Sequence, residues 1–404
     1  MNLETQNASL RELARGARAA GSIALDTEFM GEGRYQTLLC LVQLAIPDGQ
    51  DGRSRVEIVD PLASDLDGAP LAAVLADPTI QVVVHAGRQD LALLRRRFGA
   101  EVRNVFDTQV AAGFVGMGAQ CSYHSLLAEL LGVRLAKGAS FTRWDARPLS
   151  AEQLSYARED VEHLLELAAE LQRRLDALGR SEWAREECEP LERSSDERDP
   201  EAVFQRLPRV SGLSSRARPI ARELVRWRER TAARQNRPVQ SVLSDVSLIE
   251  VARRMPSSRP ELERIRGIGA AGQRQRALEL LDVVEKARER PPDPAPRPTR
   301  PPAPRTEDGP LVAMAEALLR TRAIEAGLAY ELLATRAELH AIVAARRAGV
   351  CPAEEAPAGA APGGAGEQPR VLYGWRRELA GGELLELLDG RLSLSVRDGS
   401  VEIR

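Results

Sequence analysis

Cysteine is scarce in this chain. Cys40, Cys121, Cys188 and Cys351 are scattered across 404 residues, and no two of them form a CxxC pair. That spacing argues against a disulfide framework or a zinc site and fits a reducing compartment. Aromatic residues make up only 4% of the chain, so its cores must be built mainly from Leu, Val, Ile and Ala. Long hydrophobic runs are missing too. The longest, Leu38 to Ile46, is broken by Gln43, whereas a membrane span needs about 20 apolar residues. The first eleven residues are polar and show no signal-peptide pattern. The expectation is a cytoplasmic protein with no membrane partner.

An excess of charge of one sign is also absent, but only on average. The formal net charge is −3, which by itself describes a poor binder of nucleic acid. Residues 201–290, however, hold 20 Arg and Lys against 11 Asp and Glu, a net of +9. The rest of the chain has 36 basic and 48 acidic residues, a net of −12. This segregation points to a polyanion-binding module attached to an acidic one.

Residues 22–29, 38–46, 55–59 and 81–85 read as strands, being short, apolar and bounded by Gly, Pro and Asp. Residues 71–76 and 88–98 have helical spacing of Leu and Ala, and 120–131 and 151–178 read as longer amphipathic helices. The mixture predicts an α/β domain over 1–180. Residues 181–205, charged and turn-rich, read as a linker. From 206 to 290 the pattern is all-helical, with helices around Leu224 to Arg228, Ser247 to Met255 and Leu278 to Ala287. Residues 291–310 hold nine prolines in twenty positions, an extended spacer. Within 311–404, helices are expected at 311–327, 331–347 and about 373–388. A terminal hairpin around Asp398-Gly399 closes the chain.

Asp26 and Glu28 are two residues apart in a strand, so both side chains leave one face. Adjacent carboxylates in an apolar strand repel and resist desolvation, so something positive must compensate them. The strand has no Lys or Arg. Hard oxygen donors without His or Cys select Mg²⁺ or Mn²⁺ over zinc. The alternative is an edge strand whose acidic pair faces water. Asp90 falls in the first turn of the helix after strand 81–85, where an anion also stabilises the helix N-terminus. His85, before it, reads as a packing residue. Tyr156 and Asp160 lie i,i+4 on a helix, hence on one face.

DTEF at 26–29, HAGRQD at 85–90 and YAREDV at 156–161 occur in the order of the three exonuclease motifs of the DEDD superfamily. They resemble its tyrosine-bearing branch, and the RNase D family in particular. Phe141 to Trp144 with Arg147 to Ser150 resembles the segment before that family's last motif. One departure is Gln89, where the wider superfamily often has an aromatic residue. The resemblance implies a ribonuclease H-like exonuclease domain, a mixed sheet with flanking helices, followed by all-α HRDC-like domains. It implies two Mg²⁺ or Mn²⁺ ions bound by Asp26, Glu28, Asp90 and Asp160, with Tyr156 orienting the attacking water. The activity implied is removal of nucleoside 5′-monophosphates from RNA 3′ ends, including tRNA precursors. A DNA 3′→5′ exonuclease is the second reading and a non-catalytic RNA-binding protein the third. The presence of all four carboxylates argues against the last.

For substrate contacts, Phe29, Gln43, Lys137, Arg143 and Arg147 are the candidates, with Arg158 nearby; core packing or solvated charge is the alternative for each. Residues 206–290 resemble an HRDC domain in ELVRWRERTAARQNRP (223–238), the 248–256 helix and the Ile265 to Gly269 turn. Its positive charge suits phosphate contacts. Residues 311–404 resemble a second, divergent HRDC-like module in LLATRAEL (332–339) and GWRREL (374–379). RNA is the expected partner, and no obligate protein partner is evident.

Overall fold

The structure is a computed structural model that describes residues 3–48, 54–135, 143–268, 274–293, 305–349 and 369–404. The chain forms two compact units, one of residues 1–28, 39–195 and 298–404 and one of residues 29–38 and 196–297.

The first unit is built on a five-stranded sheet. In chain order its elements are α1 (Leu3–Ala20), β1 (Ser22–Met30), β2 (Leu38–Pro47), β3 (Ser54–Val59), α2 (Ala69–Leu75), β4 (Gln81–Val84), α3 (Arg88–Phe98) and β5 (Val105–Asp107). The strands lie in the order β3-β2-β1-β4-β5. β4 runs parallel to both β1 and β5, while β3 is antiparallel to β2. The carboxyl ends of β1, β4 and β5 therefore share one edge, the edge at which sheets of this kind bind ligands.

Alternation along the strands sorts side chains between two layers. Ile23, Leu25, Val82, Val84 and Val105 join Leu10, Leu13 and Ala17 of α1 and Leu91 and Leu94 of α3 in one core. Ala24, Ala45, Val83 and Phe106 face the other core. That second core is covered by α4 (Thr108–Phe114), α5 (Tyr123–Leu126), α7 (Leu164–Leu178) and α8 (Ser181–Cys188). Between α5 and α7 runs α6 (Ala151–Glu162).

Several sequence expectations change here. The single helix expected over 151–178 breaks at His163, whose backbone leaves the helical region at φ −105° and ψ 5°. The helix expected from 120 starts at Tyr123 under a Ser122 N-cap and ends in a π turn over Leu127–Leu131. Much of the 181–205 linker is ordered. It contains α8, a 3₁₀ turn at Glu189–Arg193 and the start of α9 (Pro200–Arg206). Ala184, Cys188 and Leu191 are buried, which holds this charged stretch to the domain.

The second unit consists of α9, α10 (Ala217–Gln235), α11 (Val239–Val242), α12 (Asp245–Arg254), α13 (Arg259–Glu263) and α14 (Arg274–Arg288). Leu224, Trp227, Leu248, Ile265, Leu280 and Val284 share its core. Arg228, only 1% exposed, bonds to Asp245 at 2.6 Å and to the Leu243 carbonyl. Buried Glu229 accepts from Arg198 and from Tyr35 Oη.

The C-terminal stretch rejoins the first unit through α15 (Gly309–Ala326), α16 (Arg336–Arg347), α17 (Gly374–Arg376), α18 (Gly382–Leu388) and the hairpin β6 (Leu394–Arg397) and β7 (Ser400–Ile403). Asp398 and Gly399, both at positive φ, turn that hairpin as the sequence predicts. Leu318, Leu339, Trp375 and Leu384 lie in the same core as Phe114, Leu167 and Leu171. Arg180 donates to the carbonyls of Phe114, Ala326 and Gly327, tying α4 to the end of α15.

Candidate active site

β1 is buried at Ala24 and Leu25 and opens towards its carboxyl end. Because Asp26 and Glu28 continue the alternation of Ala24, they leave the face covered by α6 and α7. α6 is set by a reciprocal capping box, in which Ser150 Oγ accepts from Gln153 N and Gln153 Oε1 from Ser150 N. Two turns later Asp160 meets the strand. Carboxylate oxygens of Asp26, Glu28 and Asp160 lie within 4.8 Å of one another.

Asp90 arrives from the opposite layer. It sits in the first turn of α3, only 7% exposed, and accepts a hydrogen bond from Thr27 Oγ1. Thr27 points away from Asp26 and Glu28, so the strand presents its acids to one layer and a hydroxyl donor to the other.

The electrostatics are those of a crowded acidic cluster. Burial and the charges of Asp90, Asp160 and Glu28 hold Asp26 well above the usual carboxylate range. Glu28 is pushed up to about 8 by burial, then by Asp160 and Asp90. Asp160 rises to about 7, chiefly through burial, and Asp90 to about 6 for the same reason, against the pull of the Thr27 hydrogen bond. Among the described residues, no Lys or Arg forms an ion pair with any of the four. Three converging hard oxygen donors of this kind fit a divalent cation. Tyr156, one turn before Asp160, hydrogen-bonds to it, and burial followed by Asp160 and Glu28 raises its phenol, so it stays protonated at neutral pH. The Trp144 ring lies 6.2 Å from that of Tyr156.

The candidate substrate contacts divide. Phe29 is 39% exposed. Arg143 is exposed and pairs with Asp145 at 3.0 Å. Gln43 shares the sheet face of the carboxylates but is wholly buried, with neither amide atom hydrogen-bonded, so it does not line an open cleft as expected. Arg147 is already fully engaged. Its Nε and Nη2 meet Asp60 at 2.5 and 2.6 Å, and its remaining donors go to the carbonyls of Trp144, Ala146 and Cys40. All five guanidinium N–H groups are in use, which removes Arg147 as a phosphate ligand and makes it a clasp. Lys137 lies outside the described residues. His85 bonds Thr108 Oγ1 through Nδ1 at 2.9 Å, the packing role expected of it.

Sequence reading missed Thr27 and Asp107. Asp107 caps α4 and also accepts from the N–H groups of Ala86 and Gly87. The signal available was an Asp closing the apolar run Val105-Phe106, a common N-cap pattern.

Comparison with known proteins agrees with this geometry. A 3′-5′ exonuclease family matches residues 2–176 and the HRDC domain family matches 218–284. Ribonuclease D of Gluconacetobacter diazotrophicus is 36% identical, over 98% of this chain and 95% of its own length. The chain belongs to the ribonuclease D family. It is a 3′→5′ exoribonuclease, a hydrolase with a ribonuclease H-like exonuclease domain and a helical HRDC region. Ribonuclease D of Acidiphilium cryptum is 35% identical over 99% of this chain and 96% of its own. The crystal structure of Escherichia coli RNase D, described as an exoribonuclease involved in structured RNA processing, aligns with a TM-score of 0.79. It is 30% identical and covers 96% of this chain and 99% of that one. Among the described residues, no helix is long and apolar enough to cross a membrane.

Proposed function

We propose that this exoribonuclease trims structured RNA, tRNA precursors among them, and releases nucleoside 5′-monophosphates from the 3′ end. The observation that carries the reading is the half-buried trio Asp26, Glu28 and Asp160, whose carboxylate oxygens lie within 4.8 Å of one another, with no Lys or Arg ion-paired to it among the described residues. Asp90, whose charge reaches both Asp26 and Glu28, completes the set.

These four carboxylates would hold two Mg²⁺ or Mn²⁺ ions. When bound, such a pair supplies a hydroxide at neutral pH and neutralises the departing 3′ oxygen. Tyr156 keeps its phenolic proton and aims a water at the phosphorus, which suits an orienter better than a base. Phe29 and Arg143, both exposed, are the remaining candidates for contact with the terminal nucleotide, with Lys137 close to Arg143 in sequence. The basic HRDC region supplies a salt-sensitive grip on the RNA backbone, and residues 311–404 are read as a divergent second HRDC-like module. Such a role places the enzyme with its RNA substrates in the cytoplasm.

The test is release of 5′-mononucleotides from a 3′-extended tRNA, with and without magnesium. Asp26→Asn should abolish turnover while RNA binding persists. Equal activity of that variant and the parent would overturn the reading. A DNA oligonucleotide of the same sequence, degraded as fast as the RNA, would overturn the RNA preference.

A further inference from the structure

We propose that Asp107 is a positioning residue for the second acidic motif, holding the turn that aims Asp90 at the metal pocket. The inference rests on the reading of Asp90 as a metal ligand.

Asp107 ends β5 and is 2% exposed. As an N-cap of α4 it needs only one carboxylate oxygen, and Oδ1 does accept from Gln109 N at 2.8 Å and Val110 N at 3.4 Å. The same oxygen also takes Ala86 N at 3.0 Å, and Oδ2 is given to Gly87 N at 3.0 Å. Capping does not account for those last two bonds. They bind the turn that leaves β4 and starts α3, three residues before Asp90.

That turn needs holding. Ala86 sits at φ +54°, a left-handed conformation costly for any residue with a Cβ. At Gly87 a Cβ would come within 2.5 Å of the Val84 side chain, so the backbone is pressed against the strand end. Thr108, the next residue, braces the same segment through a hydrogen bond to the Val84 carbonyl at 3.0 Å and contact with His85 Nδ1 at 2.9 Å. Behind Asp107, its own N–H points to Cys188 Sγ in α8. A buried carboxylate tied to both N–H groups at the head of α3 therefore fixes where that helix begins. Asp90 then meets Thr27 on one side and the charges of Asp26 and Glu28 on the other.

Asp107→Asn and Asp107→Ser separate the two roles. Asn and Ser cap helices as well as Asp, so a capping role alone leaves both variants near the parent. Neither can accept from Ala86 and Gly87 together: Asn turns an NH₂ group towards one of them, and Ser is too short. In the full-length protein, Mn²⁺ binding is measured by calorimetry, with RNA KM and kcat alongside. Both variants should fold, keep the parent KM, and bind Mn²⁺ about tenfold or more weakly, the usual consequence of losing a residue that orients a ligand. Their kcat should fall and recover partly at high metal. Unchanged Mn²⁺ affinity in either folded variant would overturn the proposal, as would failure of both to fold, which would make the carboxylate purely structural. Asp26→Asn separates this proposal from the reading beneath it. If Asp26→Asn binds Mn²⁺ like the parent, the assignment of the carboxylates as ligands fails. If it loses Mn²⁺ while the Asp107 variants keep it, only the positioning role fails.

Discussion

The indole of Trp375 lies flat against that of Trp183, ring centres 4.9 Å apart and planes 14° from parallel. Phe114 meets Trp375 edge-on at 5.2 Å, and the Arg376 guanidinium lies 4.5 Å from its ring centre. The C-terminal helices thus insert an aromatic into the core of the exonuclease unit. Trp375→Ala should destabilise that unit by about 3–5 kcal/mol, the range for a buried aromatic reduced to Ala. Denaturant midpoints at unchanged slope would show this, and a loss below about 1 kcal/mol would contradict the packing argument.

The pocket carboxylates make the metal-free protein sensitive to alkali. Glu28 at about 8, Asp160 at about 7 and Asp90 at about 6 all stand above their ordinary values. The unfolded chain loses these protons near pH 4, whereas the folded one keeps them, so unfolding releases protons and stability falls as pH rises from about 4 to about 8. In chelator, Tm should decline across that window. Magnesium replaces the protons, so the Tm gain on adding it should grow with pH. A flat Tm in chelator would contradict the raised values of these acids and the burial that chiefly causes them.

Arg147 and Asp60 close a loop across 87 residues of sequence. This holds the segment carrying Trp144, whose ring faces Tyr156. Arg147→Ala should lower kcat by about tenfold to a hundredfold through misplacement of Tyr156, with little change in RNA KM. Arg147→Lys should not rescue it, because an ammonium cannot span both Asp60 oxygens and three carbonyls. Steady-state kinetics on a 3′-extended tRNA decide the matter; a rise in KM alone would restore the phosphate-gripping role.

Tyr156→Phe removes a proton donor beside Asp160 without emptying the space it fills. We expect kcat to fall about a hundredfold or more while Mn²⁺ binding stays at the parent level. Loss of metal affinity in calorimetry would instead make the phenol a support for Asp160.

Local pattern carried much of this architecture. The alternation around Asp26 and Glu28 placed both on one face, and the leucine spacing after His85 set α3 at 88–98 as observed. What escaped the sequence was set by partners far along the chain. Asp107 meets Ala86 and Gly87 across about twenty residues, and Thr27 meets Asp90 across 63. The break at His163 interrupts a hydrophobic spacing that continues on both sides, so periodicity alone runs through it. In 181–205 the charge count hides the few positions that matter, Ala184, Cys188 and Leu191. Arg147 looked free because Asp60 belongs to another stretch of the chain.

The interruption at His163 has a consequence for how the gene can vary. α6 is fixed at its start by the Ser150–Gln153 cap and carries Tyr156 and Asp160 before it ends. One residue gained or lost between the cap and Asp160 would swing that carboxylate by about 100° around the helix axis and out of reach of β1. Beyond the break, α7 carries none of the four carboxylates. It does carry the core residues Leu167, Leu171 and Leu175. Insertions and deletions should therefore be tolerated only at its exposed Gly179 terminus, whereas those between the cap and Asp160 should be lethal to turnover.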